Sequence, residues 1–156
     1  MSRRKSRCTV SASLSLTAAQ RVLADQPFSQ LLGARLTRFD EGRATLELDI
    51  RDDLRQQHGV LHGGVLSYAA DNALTFAAGT VAGPRVVTAG FTIDYLQPAV
   101  GEHLRARAQV VRAGRTRVVC RCALVTVDAS GQQTHCAAAQ GTVSVLAAGT
   151  EAPIER

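Results

Sequence analysis

The stretch QHGVLHGGVLSYAADNA, from Gln57 to Ala73, decides the fold and the candidate chemistry of this chain. Its two adjacent glycines open an apolar run that continues to Val81 and contains one charged residue, Asp71. Apolar residues occupy nearly every position around the corresponding helix, which predicts a helix over Gly63 to Thr80 that is buried on most sides. Gly83 and Pro84 are expected to end it.

Three polar residues interrupt this apolar helix at regular spacing. Ser67, Asp71 and Thr75 stand at i, i+4 and i+8, which places them in one narrow stripe. Burying an unpaired carboxylate costs several kcal/mol, so Asp71 needs either a partner or a use. A structural hydrogen bond to Ser67, Thr75 or an arginine satisfies the pattern as well as a catalytic role does.

The start of the helix adds a second feature, the sequence His62-Gly63-Gly64. Glycines at a helix N-terminus let a ligand approach unpaired N–H groups at the positive end of the helix dipole. Such a terminus can hold a developing oxyanion, although a glycine pair is often only a tight turn. Together with an acid about two turns further on, it favours acyl chemistry.

The rest of the chain reads as a short helical segment followed by antiparallel strands. Polar and apolar residues alternate in several runs, and Gly, Pro and Asp punctuate them, which is typical of a sheet with one solvated face. We expect an α+β domain whose sheet curls around the single long helix. The predicted segments are a helix over Thr17–Leu32, capped near Thr17 and interrupted around Pro27, and strands over Leu32–Phe39, Arg43–Ile50, Val86–Leu96, Leu104–Val111, Thr116–Asp128 and Thr134–Leu146.

Composition limits the possible classes of protein. A chain of 156 residues with 46% hydrophobic content suits one globular domain, placed over residues 17–148, with a basic, Ser-rich tail at 1–16 and a short tail at 149–156. The first tail is expected to be disordered, and an organellar transit sequence is the alternative. No apolar stretch is long enough for a membrane helix. Four cysteines without a C-x-x-C pair suggest reduced thiols and a cytoplasmic protein.

The net charge of +5 favours an anionic partner, and the positive residues are spread along the chain. Aromatic content is 4% without tryptophan, so stacking platforms for nucleic acid are not expected. His58 and His62 have no convincing third metal ligand in the sequence, and no metal site is predicted.

The motif HGVLHGGVLSYAADNA resembles the signature of PaaI-like hotdog-fold acyl-CoA thioesterases, the group related to phenylacetyl-CoA thioesterase. The resemblance continues through VVTAGFTIDYLQPAVGEHLRARAQVVRAGRT and covers roughly Leu31 to Leu146. It implies a long central helix wrapped by an antiparallel sheet of about six strands. It also implies dimers that join sheets edge to edge, usually paired into tetramers, with active sites at the dimer interface.

The resemblance assigns roles to particular residues. Asp71 matches the family's general base or nucleophile, and the Gly63 N–H matches the donor to the thioester carbonyl. His62 would support that loop, while Gln56 and Thr88 would orient the reacting water; glutamine instead of asparagine at position 56 is a departure from the closest pattern. Each has a structural alternative: a helix cap for His62, a loop amide for Gln56 and a strand residue for Thr88. The predicted substrate-binding residues are Gly64, Ser67, Tyr68 and Thr75.

The implied reaction is hydrolysis of an aryl- or medium-chain acyl-CoA thioester, with no cofactor other than the coenzyme A of the substrate. Two alternatives remain open, a non-catalytic acyl-CoA sensor and a hydratase or dehydratase on the same fold. The pocket depth is expected to depend on Tyr68, Leu74 and Phe76. Several arginines are candidates to meet the CoA phosphates, with a solvated sheet face as the alternative for each: Arg85, Arg105, Arg107, Arg112, Arg115 and Arg117.

Overall fold

A computed structural model of the protein describes residues 14–149. Most of the predicted N-terminal tail, including Cys8, lies outside the described residues, as does the C-terminal tail beyond Gly149. The predicted disorder of these tails therefore stays a prediction.

The described chain contains three α-helices, a short 3-10 helix and six strands. The helices are α1 (Leu16–Ala24), α2 (Pro27–Leu32) and α3 (Gly63–Ala82), and the 3-10 helix spans Asp52–Leu54. The strands are β1 (Arg35–Asp40), β2 (Arg43–Asp49), β3 (Val86–Tyr95), β4 (His103–Ala113), β5 (Arg117–Val127) and β6 (Gln133–Val145).

The long helix α3 is the centre of the core, as its apolar sequence predicts. Ala69, Ala70, Ala73, Leu74 and Ala77 have no measurable exposure. Small alanines on this face let the sheet backbone approach the helix closely, and the leucines of β2 and β4 fill the space between them. The helix runs two residues beyond the predicted Thr80, and Gly83, at φ 83°, caps its C-terminus.

The six strands form one antiparallel sheet in the order β1-β2-β4-β5-β6-β3. In β4 the alternation is as predicted, because Leu104, Ala106 and Ala108 are buried while Arg107 is exposed. The strand β3 pairs only with β6 among the described strands, so its other edge forms one border of the sheet. This border lies beside α3 and positions the candidate site.

The N-terminal segment agrees with the prediction at its cap and differs at its end. Ser15, two residues before Thr17, caps α1, since its side chain accepts a hydrogen bond from the Ala18 N–H at 3.1 Å. The first strand begins at Arg35 instead of Leu32, because α2 continues to Leu32 and Gly33 ends it in the left-handed region at φ 70°. The break at Pro27 is confirmed, since this proline starts α2.

Three cysteines lie buried in the sheet as free thiols. Burial raises the pKa of Cys120 to about 11 and the pKa of Cys122 to about 12, and it also raises the pKa of Cys136. Protonated, buried thiols behave as small apolar core residues, in agreement with the prediction for this part of the chain. Over the described residues, no helix combines the length and apolarity needed to cross a membrane.

Candidate active site

Asp71 lies on the α3 face that meets the start of β3, where it is half-buried. The Thr88 hydroxyl donates a hydrogen bond to Asp71 Oδ1 at 2.5 Å. Thr75, one turn further along the helix, lies 2.6 Å from the Thr88 hydroxyl and also donates to the Asp71 backbone oxygen at 3.0 Å. The structure thus joins three residues that the sequence nominated separately.

Local backbone geometry brings Thr88 to this position. The register of β3 against β6 shifts between Thr88 and Gly90, an irregularity of the β-bulge type. Bulges of this type change the direction in which a strand presents its side chains. Residues Val86 and Thr88 are part-buried toward α3, so the threonine hydroxyl reaches the helix.

The second oxygen of the carboxylate, Asp71 Oδ2, receives no hydrogen bond from any residue between 14 and 149. A carboxylate that has one oxygen fixed by a hydroxyl keeps the other oxygen's lone pairs available to a water or an acyl carbon. This is the geometry that a general base or a carboxylate nucleophile requires.

The start of α3 forms a second cluster. His62 is the N-cap residue, and its Nδ1 accepts a hydrogen bond from the Gly64 N–H at 2.9 Å. The capping role considered for His62 is therefore present in the structure. A Cβ atom at Gly64 would lie 3.0 Å from His62 Nδ1, so glycine here keeps the cap in place. Within the described part of the chain, the N–H of Gly63 has no acceptor.

Gln56 belongs to this second cluster. It lines an open depression of about 540 Å³ together with Gly63 and Gly64. The loop that carries it is held by a bridge between Arg55 and Leu61 and by a hydrogen bond from the Gln56 N–H to the Val60 oxygen at 2.9 Å. Gln56 and Gly63 therefore line one depression at the start of α3.

Tyr95 is a residue of this cluster that the sequence analysis did not single out. Its hydroxyl lies 2.8 Å from the Ser67 hydroxyl and donates to the Gly63 carbonyl oxygen at 3.1 Å. A Cβ atom added at Gly63 would lie 3.4 Å from Cζ and Oη of the Tyr95 side chain. The only sequence signal was an aromatic residue at the end of a strand, which does not indicate contact with a helix start 32 residues earlier.

The two clusters do not meet within one chain. Gly63 and Asp71 are eight residues apart on the same helix, a rise of about 12 Å. The carbon and oxygen of a thioester carbonyl are only about 1.2 Å apart, so this rise is long for direct contact of both groups with one carbonyl. Serine 67 lies between them, with its hydroxyl on Tyr95.

Tyr68 points away from both clusters. Its hydroxyl donates to Ser29 Oγ at 2.6 Å, and its ring stacks edge-on against Phe28 at a centroid distance of 5.4 Å. Burial raises the pKa of Tyr68, and the negative charge of Asp71 adds to that increase while the Ser29 hydrogen bond opposes it. These contacts fix α2 against α3. The predicted role of Tyr68 in substrate binding stays a prediction.

The candidate phosphate-binding arginines are mostly exposed. Arg105 is the exception, because its side chain is about 29% exposed and its Nε pairs with Glu47 Oε1 at 2.7 Å. Arg107 donates to the Gln133 side chain at 2.8 Å. The structure thus gives Arg105 a structural partner and leaves the others on solvated faces.

Several known proteins resemble this chain. The model of the thioesterase superfamily matches residues 58–130, a range that includes Asp71, Thr88 and the start of α3 but not Gln56. The acyl-coenzyme A thioesterase PaaI of Escherichia coli is 33% identical over 88 residues, which are 56% of this chain and 62% of that protein.

Solved structures of related proteins also resemble this chain. A thioesterase family protein from Silicibacter pomeroyi is 32% identical and superposes with a TM-score of 0.79 over 85% of this chain and 98% of that one. The E. coli PaaI protein from the phenylacetic acid degradation operon is 25% identical, with a TM-score of 0.72 over 83% of this chain and 91% of that one. The predicted fold and the predicted thioester-hydrolase class are confirmed. The chain belongs to the thioesterase superfamily, within which it is a PaaI-like protein with the hotdog fold.

Proposed function

We propose that this protein hydrolyses an acyl-CoA thioester to the free acid and coenzyme A at a site built from two copies of the chain. The observation that carries the proposal is the Asp71 carboxylate, which is fixed through one oxygen by Thr88 and open at the other. The activity printed in the name of the E. coli relative, an acyl-coenzyme A thioesterase, supports the substrate class.

The 12 Å separation of Gly63 and Asp71 supports the requirement for two copies. Antiparallel pairing of two β3 edges would continue the sheet across a twofold axis and reverse the direction of α3 in the second copy. The Gly63 end of one helix would then approach the Asp71 region of the other. This arrangement predicts a homodimer with two sites, or a tetramer made of two such dimers.

In the proposed site, the Gly63 N–H of one copy donates to the thioester carbonyl oxygen and stabilises its developing negative charge. Asp71 of the other copy takes a proton from a water. Gln56 of the first copy and Thr88 of the second help to orient this water, whose oxygen attacks the carbonyl carbon. The C–S bond then breaks, the acid is released, and the thiolate takes up a proton to give coenzyme A. Direct attack by Asp71, followed by hydrolysis of the anhydride, uses the same residues.

The proposed reaction needs no cofactor, because coenzyme A enters as part of the substrate and a thiolate is a good leaving group. His62 holds the helix start and the Gly64 N–H, so its proposed part is to position the oxyanion donor. The buried, protonated thiols support the expectation of a reducing compartment such as the cytoplasm.

The test compares wild type with Asp71→Asn, which keeps the size and the hydrogen bond from Thr88 but cannot act as a base. Thiol release from a panel of aryl- and alkanoyl-CoA thioesters is followed, and folding is checked by circular dichroism. We expect kcat to fall about 10²- to 10⁴-fold in the variant. Binding of acyl-CoA without thiol release from the wild type would reject hydrolysis in favour of the sensor. Hydration of enoyl-CoA with the thioester intact would favour the hydratase.

A further inference from the structure

Two peptide units at the start of α3, His62–Gly63 and Gly63–Gly64, carry four polar backbone groups. The His62 carbonyl oxygen accepts from the Val65 N–H at 2.9 Å. The Gly63 carbonyl oxygen accepts from the Tyr95 hydroxyl at 3.1 Å, and the Gly64 N–H donates to His62 Nδ1 at 2.9 Å. Of these four groups, only the Gly63 N–H has no partner within residues 14–149.

The contacts of the second peptide unit restrict the direction of the Gly63 N–H. Gly63 and Gly64 lack the Cβ atoms that limit backbone dihedrals, so the glycine pair does little by itself to hold the turn. The N–H of Gly63 is joined to the second peptide unit only through the two soft dihedrals of Gly63. Because that unit is bound at both its oxygen and its N–H, these dihedrals are held and the N–H keeps one direction.

Ser67 supports the contact that Tyr95 makes. A hydroxyl has one proton, and the Tyr95 hydroxyl donates its proton to the Gly63 oxygen. At the 2.8 Å contact between the two hydroxyls, Tyr95 therefore accepts and Ser67 donates. The two side chains form a short chain of hydrogen bonds that ends on the Gly63 carbonyl oxygen.

We propose that Tyr95 is a positioning residue that orients the Gly63 N–H toward the thioester carbonyl oxygen, with Ser67 as its support. This rests on the proposed function and adds to it two residues that act through the oxyanion donor. Tyr95 and both glycines line the same open depression of about 540 Å³, so a ligand has access to the start of α3 there.

The expected effect is on kcat. An oxyanion donor accelerates a reaction when its direction is set before charge develops on the carbonyl oxygen, and loss of one donor lowers kcat about 10²- to 10³-fold. Loss of its alignment should remove part of that factor. Interactions made only in the transition state change kcat and leave KM nearly constant.

The first test measures kcat and KM of Tyr95→Phe on the acyl-CoA thioester that wild type hydrolyses fastest. Phenylalanine keeps the ring beside Gly63 and removes the hydroxyl alone. Tyr95 is 54% exposed, so the fold is expected to tolerate the change. We expect kcat to fall about 10- to 50-fold, with KM within about threefold of the wild-type value. An unchanged kcat, or a rise in KM that accounts for the whole loss, would overturn the proposal.

Ser67 variants provide a second test of the same chain of hydrogen bonds. In Ser67→Ala, Tyr95 keeps its proton for the Gly63 oxygen but loses the donor behind it, so kcat should fall less, by about three- to tenfold. Ser67→Thr retains a hydroxyl and should restore most of the rate. If the threonine variant is as slow as the alanine variant, or if neither differs from wild type, Ser67 does not support Tyr95.

Thr80→Val is the matched control for loss of stability. Thr80 lies on the same helix, about 25 Å of rise beyond Gly63, and its hydroxyl accepts from the Gly42 N–H at 2.9 Å. Valine keeps the shape of the side chain and leaves that N–H without its partner, so the thermal midpoint should fall. We expect kcat to stay within about twofold of wild type. A loss of kcat as large as that of Tyr95→Phe would overturn a specific role for Tyr95.

A double-mutant cycle tests whether Tyr95 acts through the Gly63 N–H. Gly63→Pro has no N–H at this position, so there is no donor left to orient. Removing the Tyr95 hydroxyl from Gly63→Pro should then lower kcat by less than about twofold, although it lowers kcat about tenfold or more in wild type. Equal losses in the two backgrounds would show that Tyr95 acts independently of the donor and would refute the proposal.

Ligand binding distinguishes failure of this proposal from failure of the proposed hydrolysis. The chain has 13 glycines, so ¹⁵N-glycine labelling gives a simple amide spectrum, in which Gly63→Ala identifies the Gly63 signal by its loss. Phenylacetyl-CoA and hexanoyl-CoA are the probes, added to Asp71→Asn and to Asp71→Asn/Tyr95→Phe. A hydrogen bond to the thioester oxygen should move the Gly63 proton signal downfield in the first protein and less than half as far in the second.

That result supports the role of Tyr95 even when wild type releases no thiol, in which case only the hydrolysis proposal fails. Equal movement of the Gly63 signal in the two proteins, or no movement with either thioester, overturns the role of Tyr95 whether or not wild type is active.

Discussion

The hydroxyl groups around Asp71 fix the orientation of its carboxylate. Thr88 has one hydroxyl proton, and its 2.5 Å contact with Asp71 Oδ1 uses it. The 2.6 Å contact with Thr75 can then be a hydrogen bond only if Thr75 donates, which draws its proton away from the Asp71 backbone oxygen. The hydroxyls of Thr75 and Thr88 thus have two protons for these three contacts. Of the two hydroxyls, that of Thr88 bonds to the Asp71 carboxylate.

This chain of contacts predicts that Thr88 is a positioning residue. Thr88→Val keeps the shape of the side chain and removes its donor, and a hydrogen bond to a charged group is worth about 1.5–3 kcal/mol. We expect kcat to fall about 10- to 100-fold with KM little changed, while Thr88→Ser restores most of the rate. Steady-state kinetics on one acyl-CoA checks this. If the serine variant is as slow as the valine variant, the packing of the methyl group, not the hydrogen bond, matters.

The sequence could identify Asp71 as a candidate because it is a lone charged residue in an apolar helix. It could not show that Thr88 bonds to it, since the contact spans 17 residues and depends on the irregular register after Thr88. It also missed Tyr95, whose contacts with Gly63 and Ser67 arise only when β3 packs beside the start of α3. Predicting such contacts requires the pairing of β3 with β6.

At the scale of elements, the start of α3 serves stability and chemistry together. His62 caps the helix through Gly64, which leaves the N–H of Gly63 as the donor for a ligand. Without this cap, the Gly64 N–H would have no partner in the chain. The segment before Gly63 would also lose the hydrogen bond that ties His62 to the helix start.

The cap predicts how His62 variants behave. His62→Ala should lower the free energy of unfolding by about 0.5–2 kcal/mol, because the N-cap hydrogen bond is lost. Asparagine is a favourable N-cap residue, so His62→Asn should retain most of the stability. Urea denaturation of the two variants measures this, with activity assayed in parallel. If His62→Asn is stable but inactive, the imidazole has a chemical role beyond capping.

The type and order of the main elements could be predicted from periodicity and turn residues. The long helix and all six strands were predicted to within a few residues, because each has a clear apolar period and a glycine, proline or aspartate near its ends. The boundary at Leu32 was wrong, since the left-handed conformation of Gly33, which ends α2, decides it locally. The 3-10 helix at Asp52–Leu54 lies between the strand predicted to end at Ile50 and the helix predicted to begin at Gly63, where no element was predicted.

At the scale of the whole molecule, the sheet order could not be read from local patterns. The strand β3 follows α3 in the chain but pairs with β6, so a strand from the middle of the chain lies beside the last strand. The resemblance to hotdog thioesterases implied the long helix and an antiparallel sheet of about six strands around it, but not the order of those strands. The pairing of β3 with β6 leaves one edge of β3 as the border of the sheet, beside the two clusters, which are separated by about 12 Å of rise along α3.

The measurement that tests the two-copy site most directly uses hybrid dimers. Gly63→Pro removes the N–H that is proposed to bind the oxyanion, and proline is well tolerated at the first position of a helix. Gly63→Ala is its matched control, because the added Cβ lies at ordinary contact distance from Tyr95 and the N–H remains. We expect Gly63→Pro to lose about 10²- to 10³-fold in kcat and Gly63→Ala to lose far less.

The inactive Gly63→Pro and Asp71→Asn proteins are then mixed, unfolded and refolded together, and thiol release is measured. Random pairing makes half of the dimers hybrids, and each hybrid carries one intact site of two, so we predict recovery of about a quarter of the wild-type rate. Each variant refolded alone should stay inactive. A mixture as inactive as its two components, in which hybrid dimers are shown to have formed, would contradict a site shared between Asp71 of one copy and Gly63 of the other.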